Sequence, residues 1–211
     1  MKLFNYRKFY DKDTLSANDI GNTPMEFFKK WFKEAESSDG IIEPNAMTIS
    51  TVENNIPSSR VVLLKEIKDQ SLVFFTNYKS NKGKAISNNP NICASFYWGP
   101  LERQVIFKGI AKKTENDYSD SYFSSRPFNS QAAAIVSNQS QVIKSYRDLL
   151  TRYNKFLKDN SNTNLKRPNN WGGIELYVKQ IEFWQGRENR LHNRVVCNFI
   201  DDEWIVQILS P

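Results

Sequence analysis

Residues 181–194 hold the chain's only histidine, His192, together with three arginines, Arg187, Arg190 and Arg194. Guanidinium groups repel one another at close range, so gathering three beside an imidazole makes sense around a bound anion. Taken alone, the segment reads equally well as a solvated basic hairpin loop. Other parts of the chain repeat the pattern. Lys79-Ser80-Asn81-Lys82-Gly83-Lys84 precedes a short helical run, 85–89, closed by Pro90. Lysines at a helix N-terminus oppose the helix dipole unless an anion sits there. Two hydroxyl-rich breaks, Ser124-Ser125-Arg126-Pro127 and Ser137-Asn138-Gln139-Ser140, suit anion contacts as well, and Arg7-Lys8-Phe9-Tyr10 sets two cations beside two aromatics near the start. Cations interleaved with hydroxyls are the chemistry of phosphate recognition.

The remaining sequence must position these groups. Thr23-Pro24-Met25-Glu26 has the form of a capping box with proline at the first helical position, and Phe27, Phe28, Trp31, Phe32 and Ala35 follow at helical spacing, which predicts a helix with one aromatic core face ending near Gly40. Runs rich in β-branched and aromatic residues predict strands at 46–52, 60–67, 71–77, 92–98 and 104–112, and again at 174–185, 194–200 and 203–209. Antiparallel strands so spaced indicate a barrel or sandwich. Between the two sets, 115–158 reads as helical, with an apolar stripe from Val142 to Leu157 that suits packing against the barrel or a partner chain. Residues 159–170 read as a polar linker.

At 211 residues, 39% hydrophobic and 13% aromatic, the chain is globular and can bury one good core. Its formal charge of +6 favours anionic partners of any size. RNA is one such class, but the basic residues are dispersed and no RNA-recognition signature appears. Cys93 and Cys197 stand far apart in apolar runs, which points to reduced thiols in a cytoplasmic protein, and one histidine without paired cysteines argues against zinc. No apolar run reaches membrane-spanning length, and no Gly-x-Ser-x-Gly marks a serine hydrolase.

Arg60-Val-Val-Leu-Leu-Lys65, Phe75-Thr-Asn77, Leu101-Glu-Arg-Gln-Val105, Tyr122-Phe-Ser-Ser-Arg-Pro127, Val136-Ser-Asn-Gln-Ser140, Trp171-Gly-Gly173, Phe183-Trp-Gln-Gly186 and Arg190-Leu-His192 follow one another in an order and at spacings that closely resemble the pyridoxamine 5′-phosphate oxidases. The resemblance implies a mainly β (α+β) chain folded as an FMN-binding split β-barrel: a flexible arm at 1–22, then one domain over 23–211 with a helical insertion at about 115–158. It implies a homodimer with FMN at the subunit interface. The reaction implied is oxidation of pyridoxamine 5′-phosphate or pyridoxine 5′-phosphate to pyridoxal 5′-phosphate, with O2 as acceptor and no metal.

By the same resemblance the FMN phosphate and ribityl chain fall to Arg60, Asn81, Lys82, Gln139 and Ser140, with Phe75 and Thr76 near the flavin. Its ring falls to Val61, Val62, Leu63, Leu64, Gln104, Trp184 and Arg194. The substrate phosphate falls to Lys65, Tyr122, Arg126 and Ser130, with Lys65 also beside the cofactor. Arg7, Lys8, Phe9, Tyr10 and Leu191 complete the substrate side, and Arg190 and His192 flank the reacting ring. A non-catalytic flavin carrier would need Arg60, Lys82 and Ser140 but not Arg126, Ser130 or His192, and all six are present. The chain departs from the family at Asn81, neutral where the family commonly has arginine, which implies weaker FMN retention.

Two expectations follow, the first from strand geometry and the second from the resemblance. On a regular strand Arg60 and Lys65 face opposite sides of the sheet, so both serve ligands only if the strand ends or bulges between them. The second concerns Arg126 and Arg190, which should share a cleft.

Overall fold

The computed structural model describes residues 1–5, 8–161 and 163–211. The alternating runs form one antiparallel sheet of β1 (Ala46–Glu53), β2 (Ile56–Leu63), β3 (Glu66–Ile67), β4 (Ser71–Asn77), β5 (Asn91–Trp98), β6 (Arg103–Lys113), β7 (Trp171–Gln185), β8 (Asn193–Ile200) and β9 (Glu203–Leu209). The helices are α1 (Ala17–Ile20), α2 (Pro24–Glu36), α3 (Asn81–Asn88), α4 (Asn116–Ser125), α5 (Phe128–Val136) and α6 (Tyr146–Asp159). The neighbour order is β2-β1-β5-β6-β7-β4-β3, and the β8–β9 hairpin branches from β7.

β7 organises the sheet. One edge pairs with β6 along its length, and the other is divided: its first half takes β4 and its second half takes β8. The main sheet curls back on itself because β2 runs on toward β3, and the Lys65 amide donates to the Val73 carbonyl of β4 at 2.8 Å. The result is the expected split β-barrel, with the β8–β9 hairpin extending it from β7 and contributing Val195 and Cys197 to the core. Where β6 passes Lys179 the register slips by one residue between Lys108 and Gly109. A Cβ on Gly109 would lie 1.9 Å from the Tyr177 carbonyl oxygen, so glycine lets the strands stay paired across this bulge.

The predicted aromatic face of α2 fills the barrel. Phe28 is fully buried and meets Phe96, Trp98 and Phe107 at centroid distances of 5.2, 6.1 and 4.7 Å, while Phe27 and Trp31 close on Phe183 at 5.1 and 5.4 Å. The predicted capping box at its start does not form. Thr23 caps through its carbonyl, and Glu26 pairs with Lys29 at 2.7 Å instead of reaching back.

Three other expectations change. The arm over 1–22 is not free along its whole length: Ser16 and Asp19 cap α1, and Leu15 and Ile20 are buried in the core. The strand expected over 60–67 ends at Leu63, because the Leu64 amide and carbonyl are both taken by Asn45, by its carbonyl and side-chain amide respectively. The helix expected from Ala85 begins at Asn81, with the Ser80 hydroxyl accepting from the Gly83 amide. Lys82 therefore lies in the first helical turn, not in a loop before it. α6 buries no residue and leaves Tyr146 and Leu150 exposed.

Candidate functional site

The break after β2 decides where the cations go. Val61, Val62 and Leu63 end the strand at a cleft of about 280 Å³, and Lys65, beyond the last ladder pair, enters the same cleft with Phe75, Thr76, Lys82, Tyr122, Arg126, Gln139 and Trp171. The strand ends between Arg60 and Lys65, as the parity argument requires, though only Lys65 lines this cleft. Arg60, one step before this rim, is held by Thr51 and Ser58 hydroxyls, both at 2.8 Å.

Lys82 is only 7% exposed and carries the clearest electrostatic signature. Burial pushes its ammonium below the usual lysine range, and the neighbouring Arg60 pushes it further in the same direction. Burial likewise lowers Arg60. No carboxylate pairs with either among the described residues. α3 can bring Lys82 this deep because Gly83 lies against the Tyr78 backbone, where a Cβ would come within 2.4 Å of the carbonyl oxygen. Gln139 reaches the rim from the loop after α5; its Oε1 accepts from the Thr76 hydroxyl at 3.5 Å and the Asn77 amide at 3.4 Å.

Across the cleft, the break between α4 and α5 presents Arg126. Its Nη1 is buried without a hydrogen-bond partner among the described residues, its guanidinium lies 4.6 Å from the Trp171 ring centroid, and burial lowers its pKa. Ser130 stands in the first turn of α5, its amide donating to Pro127. Phe75, Tyr122 and Trp171 are nearly parallel, with Phe75 and Tyr122 only 3.8 Å apart.

A second group forms where β7 turns into β8. The Trp184 and His192 rings lie 4.7 Å apart, and Tyr10 meets both edge-on at 5.9 and 5.5 Å. The His192 Nδ1 accepts the Arg187 amide at 3.0 Å, which leaves the proton of the neutral ring on Nε2. Burial and then Arg190 hold the imidazole below its ordinary pKa. Arg194, opposite Trp184 in the ladder, is gripped by Glu182 through Nε and Nη2, both at 2.8 Å, and donates to the Ser210 carbonyl. Gln104 pairs with Trp184 from the other side. His192, Leu191 and Arg194 line a separate cleft of about 430 Å³ with Ile208 and Pro211.

Several expected residues stand elsewhere. Leu64 is 4% exposed and packs into the core with its backbone groups already bonded, and its side chain does not line the cleft. Asn81 faces solvent at the start of α3, and Ser140, in the left-handed region at φ 71°, is exposed beside the cleft's Gln139. Phe9 is largely exposed, Lys8 pairs with Glu102 at 3.4 Å, and Arg7 lies outside the described residues. Within one chain Arg126 and Arg190 do not share a cleft: Arg126 belongs to the first group and Arg190 to the turn that carries the second.

Glu102 and Trp171 were not given roles from sequence. Glu102 is 1% exposed at φ 56°, and its carboxylate accepts the Asp11 and Lys12 amides, tying the arm beside Tyr10. Its position next to the buried Arg103 gives no sequence signal of this. Trp171 was visible only as part of a Trp-Gly-Gly motif.

Residues 34–153 match the family model described as pyridoxamine 5′-phosphate oxidase, and residues 171–211 match a pyridoxine 5′-phosphate oxidase C-terminal dimerisation region. The chain is 49% identical over 212 residues to the pyridoxine/pyridoxamine 5′-phosphate oxidase of Flavobacterium psychrophilum, covering 99% of each, and 43% identical to that of Haemophilus influenzae over the full length of both. Among solved structures it is similar to PhzG from Burkholderia lata 383, crystallised with tetrahydrophenazine-1-carboxylic acid (TM-score 0.88, 25% identity, 94% of this chain and 98% of that one). An FMN binding protein from Nostoc punctiforme shares the fold (TM-score 0.72, 13% identity, 91% and 100%). With a cleft that gathers unneutralised cations beneath a strand end, and kinship that runs from one end of the sequence to the other, this chain belongs to the pyridoxamine 5′-phosphate oxidase family.

Proposed function

We propose that the chain oxidises pyridoxamine 5′-phosphate and pyridoxine 5′-phosphate to pyridoxal 5′-phosphate, with FMN as redox group and O2 as electron acceptor, releasing H2O2. The carrying observation is that one cleft is lined by Lys82, which has Arg60 as its neighbour, and separately by Arg126 and Lys65, and that burial disfavours the charge of Lys82 and Arg126 while no carboxylate among the described residues pairs with either. Two phosphate esters in one site account for both. Arg60 and Lys82 fit the cofactor phosphate, Thr76 and Gln139 offer hydrogen bonds to its polar chain, and Val61, Val62 and Leu63 give its ring an apolar edge. When bound, FMN takes a hydride from the substrate carbon bearing the amine or hydroxyl and returns the electrons to O2. Arg126, Tyr122, Lys65 and Ser130 hold the substrate phosphate.

The second group completes the site from the other subunit of a homodimer. This reading rests on the matched C-terminal dimerisation region and on the exposed apolar side chains beside both groups, Val61 at 64%, Leu191 at 68% and Ile208 at 74%. Trp184, Arg190, His192 and Arg194 of one subunit then face the Lys82–Arg126 cleft of the other. Arg194, its guanidinium already held by Glu182 and the Ser210 carbonyl, contributes little net charge.

His192 acts as a donor. With Nδ1 occupied by the Arg187 amide, its Nε2–H orients the substrate and cannot accept a proton while the ring is neutral. Because its folded pKa lies below 6.5, the ring is neutral at pH 7; protonation turns Nδ1 into a donor opposed to the Arg187 amide. The kcat/KM should therefore be level through neutral pH and fall on acidification below 6.5, and His192→Gln should lose that acid limb while retaining flavin. A limb rising toward acid would contradict the assignment.

Anaerobic addition of pyridoxamine 5′-phosphate to the FMN-loaded protein should bleach the absorbance between about 350 and 500 nm, and air should restore it. Protein that takes up no FMN, or whose bound flavin keeps its colour with substrate, would overturn the reading.

A further inference from the structure

Arg126 is held in an unusual way for a half-buried cation. No carboxylate pairs with it among the described residues, and its guanidinium rests instead on aromatic faces: Trp171 at 4.6 Å and, less closely, Phe123 at 5.9 Å. The difference matters for an anion site. A carboxylate would occupy the N–H donors and compete with an incoming phosphate, whereas a π face steadies the charge and leaves the donor fork open. The unpartnered buried Nη1 is what such an arrangement leaves.

Trp171 is itself fixed on all sides. It is 7% exposed and lies within 4° of parallel to Tyr122 and 17° of Phe75, while Phe123 meets it edge-on at 5.4 Å. Its carbonyl accepts from Arg167 Nη1 at 2.7 Å. The same guanidinium donates from Nε to Asp120 at 2.6 Å and from Nη2 to Asn116 at 3.1 Å, both on α4. Arg167, whose side chain is 7% exposed, thus ties the first residue of β7 to the helix that carries Tyr122 and stops just before Arg126.

We propose that Trp171 is a positioning residue for the substrate-phosphate arginine, setting the reach of Arg126 through its ring, and that Arg167 fixes Trp171 relative to α4. This rests on the reading above that Arg126 takes the substrate phosphate. It also assigns work to the polar linker, whose Arg167 had no role in the sequence.

The test is equilibrium titration of the FMN-loaded protein with 4-deoxypyridoxine 5′-phosphate, which lacks the oxidisable group, and with 4-deoxypyridoxine, which also lacks the phosphate. Trp171→Leu should weaken the phosphorylated ligand roughly 3- to 30-fold, the span of cation–π contacts from exposed to desolvated, and leave the unphosphorylated one unchanged. Trp171→Phe should restore most of the loss, and Trp171→Leu in an Arg126→Gln background should add nothing further. Equal weakening of both ligands, or an additive double variant, would overturn the proposal. If Arg126→Gln alone fails to discriminate the two ligands, the phosphate assignment of Arg126 falls; if it discriminates and Trp171→Leu does not, only the positioning role falls. Should Trp171→Leu not fold, Arg167→Gln carries the same test: a smaller but phosphate-selective loss supports the proposal, and an unselective one overturns it.

Discussion

Lys82→Met should weaken FMN binding by about 10- to 150-fold and at the same time make the flavin-free protein more stable. The first effect follows from losing a charge-assisted hydrogen bond, worth about 1.5–3 kcal/mol. The second follows from where the ammonium sits: burial and then Arg60 disfavour its charged form, and no carboxylate among the described residues compensates. A lysine whose folded pKa is depressed binds a proton more readily in the unfolded chain, so at neutral pH it subtracts from stability, and the deficit shrinks as pH rises from the folded pKa toward 10.5. Thermal melts of flavin-free wild type and variant should therefore differ at pH 7, with the variant higher, and converge at alkaline pH. A lower melting temperature for the variant would show that Lys82 is a structural residue with a partner that the geometry does not reveal.

Arg126→Gln should lower kcat/KM for pyridoxamine 5′-phosphate by roughly 10² to 10⁴, the loss expected when two hydrogen bonds from a planar fork to a phosphate are removed. Because a phosphate remote from the reacting carbon is bound alike in ground and transition states, most of the loss should appear in KM. Flavin content should be unchanged, since Arg60 and Lys82 remain. Steady-state kinetics together with the visible spectrum check both halves, and a variant that loses its flavin would place Arg126 on the cofactor instead.

The barrel was legible because its signals are local. The alternating runs, the aromatic face of α2 and the helical middle are each written within a dozen or so residues, and each appears in the structure near its expected place. Errors fell where a long-range partner overrides a local pattern. Asn45 takes both backbone groups of Leu64 and so cuts the strand expected over 60–67, and in the same step turns Leu64 inward and frees Lys65 to enter the cleft. Leu15 and Ile20 anchor the end of an arm that looks merely polar in sequence.

The site residues were identified by resemblance, and their grouping was not readable from spacing at all. Arg126 and Arg190 are proposed to serve one substrate, yet a single chain sets them in different places; on the proposed two-subunit reading this is expected, since a site shared between two copies would leave no trace in the order of one sequence. Trp171 shows a different limit. A tryptophan opening a strand looks like core, and only the guanidinium lying over its ring marks it as part of the cleft.

The central claim is that each active site joins the Lys82–Arg126 cleft of one subunit to the Trp184–His192 group of the other, and subunit complementation tests it most directly. Lys82→Met,Arg126→Gln and Trp184→Ala,His192→Ala chains, each impaired as a homodimer, are co-expressed with different tags and the mixed dimer is purified. In the mixed dimer one site carries all four substitutions and the other carries none, so about half of the wild-type turnover per dimer should return. If both groups serve the site of their own chain, every site in the mixed dimer stays damaged, and activity no higher than that of the two parents would contradict the account.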